Sequence, residues 1–226
     1  MDVRGVFVRV SSWVDVMAPE PRVDPVVVGE VVAAIHRVRH VGSNPVDPWY
    51  VEPVGSDAWG RLARRLRAAR APFAAELMEQ LDDIVALEAL LVPPETLQTC
   101  HRDLFADNVL PVRSGGVCVI DWENAGLADP TQELALVVFE FACGEQDRAR
   151  ILYDAYVDAG GPGRLTRQGH FSMLVAQLGH IAELGCRRWL DPARGADRTR
   201  NQARVEEFLT GRCTADTITM LLDAVH

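Results

Sequence analysis

The chain has 226 residues, 48% of them hydrophobic, and a formal net charge of −9. This is enough length and apolar content for a folded core, and the charge repels nucleic acid while favouring cationic ligands. No run reaches the about 18 apolar residues of a membrane span, and Met1 to Trp13 interleaves Asp2, Arg4 and Arg9 with its apolar residues, unlike a secretory leader, so the expected compartment is the cytoplasm.

Val6-Phe7-Val8-Arg9-Val10 carries β-branched and aromatic residues suited to a strand, with no evident partner nearby. Val6, Val8 and Val10 share one face and Phe7 the other, so an unpaired edge here is expected to be disordered, to fold back onto the rest of the chain, or to pair with a second copy as a homodimer through residues 6–10. Asp24-Pro25 opens a helix running to about Arg39, with Asp24 as cap. Gly42 to Pro53, which holds Trp49-Tyr50, reads as a surface loop. Helices follow over Ser56 to Arg70, with an arginine-bearing face, and over Pro72 to Leu91.

After Pro93-Pro94 the pattern changes to short strands at Thr96 to Cys100, Val109 to Val112 and Val117 to Ile120, the last two joined as a hairpin by Arg113-Ser114-Gly115-Gly116. From Asp129-Pro130 onward the chain returns to helix, in pieces near 131–142, 146–159, 166–190, 197–209 and 214–225. The expected fold is α+β and mostly helical, with a small β-hairpin set in its middle.

That middle reads Cys100-His101-Arg102-Asp103-Leu104-Phe105-Ala106-Asp107-Asn108, then the hairpin, then Val119-Ile120-Asp121-Trp122. It is the H-R-D-x-x-x-x-N pattern followed by an aspartate after a hairpin, which suits phosphoryl transfer. Such transfer needs an acceptor hydroxyl aligned with the γ-phosphate of ATP and metal to neutralise charge. Asp103 is the candidate base; Asn108 and Asp121 supply the oxygen ligands that Mg²⁺ prefers. His101 reads as a loop-organising residue and Arg102 as a structural or solvated charge. Asp129-Pro130-Thr131-Gln132 reads as a helix start, so Asp129 organises rather than reacts. Glu123, Glu133, Glu183 and Trp189 are candidates for receiving a cationic acceptor. The five cysteines are scattered, without disulfide or zinc spacing, and all 23 basic residues are arginine, so the chain offers no lysine to grip a phosphate.

These residues resemble the aminoglycoside phosphotransferase and choline kinase family of kinase-fold small-molecule kinases. The resemblance rests on His101-Arg102-Asp103 through Asn108, on Ile120-Asp121-Trp122, and on Ala128-Asp129-Pro130-Thr131-Gln132-Glu133-Leu134-Ala135, where Ala128 and Glu133 replace the family's usual Gly and Asp. It implies a protein-kinase-like C-terminal lobe over 16–226, with a catalytic loop at 100–110, a metal-binding hairpin at 109–122 and a helical substrate subdomain at 131–226. Residues 1–15 resemble a remnant strand and hinge of an absent N-terminal lobe, since the family's glycine-rich hairpin, lysine and glutamate find no place upstream of Val6. The implied activity is transfer of the ATP γ-phosphate to a hydroxyl of a small molecule, an antibiotic, a choline-like compound or another metabolite, which the net charge expects to be cationic, with little turnover expected of this chain without that lobe. The alternative is a non-catalytic, pseudokinase-like binding module.

Overall fold

The computed structural model describes residues 2–3 and 6–7 as backbone, and residues 12–42, 45–191, 198–211 and 213–226 in full. β1 (Asp2–Val3) and β2 (Val6–Phe7) pair antiparallel, with Asp2 opposite Phe7 and Val3 opposite Val6. The sequence reading expects Val6 and Phe7 to lack a partner; the structure supplies one in the two residues at β1. The rest of that expected strand, Val8 to Val10, lies outside the described residues. The chain then docks on the hairpin below: Val16 bridges Val112, Met17 N–H donates to Pro111 O at 2.8 Å, and Arg113 N–H donates to Asp15 O at 3.0 Å.

α1 (Pro25–His36) starts as expected, because the Asp24 carboxylate accepts from Val26 N–H and proline takes the first position. It ends before Arg39, whose left-handed φ of 50° cannot continue a helix. The expected surface loop contains a tight turn at Pro48–Tyr50, and Tyr50 is buried rather than exposed. α2 (Ser56–Ala68) turns Trp59, Leu62 and Leu66 inward and Arg61, Arg64, Arg65 and Arg67 to solvent. The single helix expected over Pro72 to Leu91 is two, α3 (Ala74–Glu79) and α4 (Leu81–Glu88), broken at Gln80 without a glycine or proline to mark the break.

β3 (Gln98–Cys100) pairs antiparallel with β6 (Gly126–Ala128), and β4 (Val109–Pro111) with β5 (Val117–Val119) in the expected hairpin. The sequence reading misses β6, because Gly126-Leu127-Ala128 has no β-branched or aromatic residue. Among the described residues five helices follow: α5 (Pro130–Ala142), α6 (Gln146–Asp158), α7 (Ser172–Leu190), α8 (Arg198–Gly211) and α9 (Ala215–Ala224). The first turn of the helix expected from 166 is a separate tight turn, Gln168–Phe171.

α5 is the centre of the larger core. Leu134, Leu136, Val137, Val138 and Phe141 are fully buried, surrounded by α1, α6 and the first half of α7. Burying each such side chain contributes about 1.5–3 kcal/mol. A second core joins α2, α3 and α4 to the far half of α7 and to α8 through Trp59, Leu77, Cys186, Trp189 and Val205. α1 lies directly on α6 at Gly29, where any Cβ would collide with the Leu152 carbonyl and approach Tyr156 N to 2.9 Å. That close approach brings His36, at the end of α1, to Tyr156.

Candidate active site

The catalytic loop between β3 and β4 hangs from α5. Glu133 is fully buried, and its carboxylate accepts the backbone N–H groups of His101, at 3.3 Å, and of Arg102. One contact has to compensate a buried charge, and His36 supplies it: Nε2–H donates to Glu133 Oε2 at 2.8 Å. The donors run in one consistent direction. Gly163 N–H donates to the Tyr156 hydroxyl, which donates to His36 Nδ1, which fixes the Nε2–H tautomer toward Glu133. Burial pushes the Glu133 carboxyl up, but the hydrogen bonds from His36 Nε2–H and Arg102 N–H outweigh it and hold the group below the ordinary glutamate value. His36, Cys100 and Glu133 offer atoms within 4.8 Å of one another, but both His36 nitrogens and the Glu133 oxygens are already engaged, and Cys100 S–H faces Ala128 O. Two turns along α5, Glu140 accepts Ala106 N–H at 3.0 Å.

On this support Asp103 presents its carboxylate. Asn108 Nδ2 donates to Asp103 Oδ2 at 3.0 Å and to Asp103 O at 2.9 Å, and Asn124 Nδ2 donates to the same Oδ2 at 3.1 Å. Burial raises the Asp103 carboxyl above its ordinary value despite these donors, and the nearby Asp121 charge adds to the rise. Asp121 caps the tight turn Trp122–Asn124 in a left-handed conformation, φ 58°, and is exposed. His101, fully buried, donates Nε2–H to Ile120 O at 2.8 Å, which pins the backbone just ahead of Asp121. Trp122 stands edge-on to His101 at 4.6 Å. Arg102 is also left-handed, φ 68°; its Nε–H donates to Asn124 O at 2.6 Å and its guanidinium lies 4.3 Å from the centre of the Tyr50 ring. The guanidinium occupies the space a side chain at residue 126 would take: a Cβ on Gly126 would sit 2.5 Å from the guanidinium carbon and displace it.

Asn108 is hydrogen-bonded to Asp103, and Asp121 stands three residues before Asn124, which bonds the same carboxylate. Both Asn108 amide contacts go to Asp103, so its amide oxygen is the atom left for a cation, and Asp121 adds an exposed carboxylate oxygen. This donor set fits Mg²⁺, a hard cation that takes oxygen ligands and keeps several waters.

The expected substrate residues fare unevenly. Glu133 cannot meet a substrate, because it is fully buried under the loop it organises. Trp189 is likewise withdrawn, packed edge-on against Phe73 at 5.7 Å in the second core. Glu183 is ion-paired with Arg187 at 3.3 Å, and Glu123 is exposed. Asp129 binds on both oxygens, capping α5 at Thr131 N–H and holding Glu95 N–H and Thr96 N–H. Besides Trp122, two aromatic groups that the sequence reading placed only in a surface loop lie nearby: Tyr50 under Arg102, and Trp49 stacked on His180 at 4.9 Å. Gln177, one turn before His180, donates to Arg102 O at 3.0 Å. Asn124 and Glu140 carried no motif signal.

The helical body with its small antiparallel pairs is an α+β, kinase-like C-terminal lobe. The chain belongs to the phosphotransferase enzyme family, whose sequence profile matches residues 8–170. It is similar to the spectinomycin phosphotransferase solved with ADP and spectinomycin, at 13% identity and TM-score 0.60, over 94% of this chain and 69% of that one. An aminoglycoside phosphotransferase from Alicyclobacillus acidocaldarius matches at 15% identity and TM-score 0.60 over 94% and 69% of the two chains. A choline/ethanolamine kinase family protein from Mesorhizobium loti matches at 18% identity and TM-score 0.51 over 94% and 71%. No curated protein matches the sequence.

Proposed function

We propose that this chain transfers the γ-phosphoryl group of ATP to a hydroxyl of a small, cationic molecule. The observation that carries the reading is the Asp103 carboxylate, held by amide donors from two loops beside the oxygen ligands Asn108 and Asp121. In the reaction the acceptor oxygen forms a bond to the γ-phosphorus, the β–γ bridging bond breaks, and ADP leaves. Asp103 orients the acceptor hydroxyl and receives its proton. Mg²⁺ held by Asn108 and Asp121 would neutralise the phosphate charge when bound. The one matched structure solved with spectinomycin, and the choline/ethanolamine kinase family protein, supply the first acceptors to try, and the net charge of −9 favours cations of that kind. Among the described residues no helix is long and apolar enough to cross a membrane, and all five cysteines are free thiols, which supports a reducing, cytoplasmic setting.

One feature favours a second reading. The chain has no lysine, so a lysine grip on the α- and β-phosphates must come from elsewhere or be replaced by arginine. A lobe without that grip could bind ligand and transfer nothing. A coupled ADP-release assay with Mg·ATP and a hydroxyl panel that includes spectinomycin and choline separates the two. Acceptor-dependent ADP release that Asp103→Asn abolishes establishes transfer; calorimetric binding with no ADP release overturns it.

A further inference from the structure

We propose that Asn124 is the positioning residue that ties the metal-bearing loop to the catalytic base, and that Arg102 is the clasp that holds Asn124 in place. The inference rests on the phosphotransfer reading and concerns a residue that no motif marks. Asp103 Oδ2 receives two amide donors, Asn108 from its own loop at 3.0 Å and Asn124 from the turn after Asp121 at 3.1 Å. A carboxylate oxygen has two lone pairs in its plane, so Oδ2 is filled and Oδ1 is the oxygen left to take the acceptor's proton. Asn108 could set that choice alone only if the carboxylate could not swing about its own loop. Asn124 anchors it from the opposite side and couples its orientation to the segment that carries Asp121.

Asn124 is exposed, and an exposed amide would ordinarily rotate freely. Its backbone is not free to move, because Arg102 Nε–H donates to Asn124 O at 2.6 Å. Arg102 is fixed in turn at every handle: its N–H by Glu133, its carbonyl by Gln177 Nε2, and its guanidinium against the Tyr50 ring. The residue holds a left-handed backbone, which L side chains adopt reluctantly, and Gly126 leaves the space that its fork fills. A merely solvated arginine needs neither condition. The line from Tyr50 through Arg102 and Asn124 to Asp103 is continuous in contacts.

The test uses the whole chain as Asn124→Ala, Asn124→Asp, Arg102→Leu and the double variant Arg102→Leu/Asn124→Ala, with Mg·ATP and the best acceptor of the hydroxyl panel. Loss of one donor to a charged oxygen predicts a fall in kcat of roughly 10- to 100-fold for Asn124→Ala with KM for ATP unchanged. Asn124→Asp falls further, because a carboxylate then faces Asp103. In the double variant the Arg102 change costs less than it does alone, since it acts through Asn124. Unchanged kcat in Asn124→Ala overturns the proposal, and so does a rise in acceptor KM at constant kcat, which would make Asn124 a binding contact. If the wild-type chain turns over no acceptor, the phosphotransfer reading fails, and the crystal structure of Asn124→Ala then decides the positioning role by itself. An Asp103 carboxylate rotated away from Asn108 upholds it; one that keeps its place overturns it.

Discussion

Glu133 and Glu140 stand seven residues apart on α5, and both accept backbone N–H groups of the catalytic loop, Glu133 from His101 and Arg102 and Glu140 from Ala106. Seven residues are two helical turns, so one face of a buried helix fixes the loop on either side of Asp103. The two carboxyls nevertheless sit in opposite electrostatic conditions, and their substitution should have opposite effects.

Glu133 is held below the ordinary glutamate value, since His36 and the loop N–H groups outweigh its burial. Its contribution is full above the unfolded-state value of about 4.3 and is lost as pH falls through the lower, folded value. Glu140 is pushed up by burial beyond what Ala106 N–H offsets, so its ionisation costs stability at neutral pH. That cost is relieved as pH falls from the raised folded value towards about 4.3. Glu133→Gln should lose about 1–3 kcal/mol at pH 7, the cost of leaving a buried donor without its carboxylate partner. Glu140→Gln should be more stable than the parent at pH 7, with the gain shrinking towards pH 4. Urea unfolding at the two pH values reads both differences.

Asp103→Asn should lower kcat by roughly 10²- to 10⁴-fold, the usual contribution of a positioned base, and leave the melting temperature close to the parent's. Single-turnover measurement with Mg·ATP and the active acceptor checks it. A variant as fast as the parent would remove Asp103 from the reaction.

Asp121→Asn and Asn108→Ala should weaken divalent-cation binding by more than the roughly 10- to 100-fold that loss of a supporting partner costs, because each removes a candidate ligand. Mn²⁺ titrated in the presence of ATP and followed by electron paramagnetic resonance gives the affinity directly, whether or not transfer occurs. Unaltered Mn²⁺ affinity in both variants would place the cation elsewhere.

Tyr156→Phe removes the hydroxyl that joins Gly163 N–H to His36 Nδ1 and leaves both without that partner in a buried setting. The expected loss is about 1–3 kcal/mol. For a chain of this size that is a fall in melting temperature of about 2–4 °C per kcal/mol, read by calorimetry.

β1 and β2 pair with each other, which satisfies one edge of each short strand. The homodimer proposed through residues 6–10 would use an outer edge. Light scattering on the chain with and without residues 1–12 should then show a dimer becoming a monomer, and a monomer in both cases removes the proposal.

The parts of this fold that were legible in the sequence are local ones. The loop motif, the Gly115-Gly116 hairpin and the Asp24 and Asp129 caps each depend on neighbours a few residues away. The supports of the site depend on distance. His36 and Glu133 are 97 residues apart and His36 and Tyr156 are 120, so no window of sequence contains the network that makes Glu133 a buried organiser instead of a substrate contact. Trp189 misled for the same reason: an aromatic near a helix end looks available until Phe73, from another helix pair, covers it. Arg102 read as a structural or solvated charge, and the features that decide for the structural role, its positive φ and the space at Gly126, are not written in the spacing of H-R-D. Asn124 carried no signal of its own, and its amide finds Asp103 only once β3 and β6 have paired.

Since the loop is suspended from the inward faces of α5, it has no hinge of its own. Freeing the His101 and Arg102 amides requires exposing Glu133, which is at 0% accessibility in the middle of the larger core. Active-site segments are commonly drawn from the least stable parts of a protein, where local openings admit solvent. Here the amide hydrogens of the catalytic loop should exchange with deuterium as slowly as those of α5 itself, and through the same global opening. Warming would then abolish the site and the fold in one event, with no intermediate range in which a folded chain has a loosened loop.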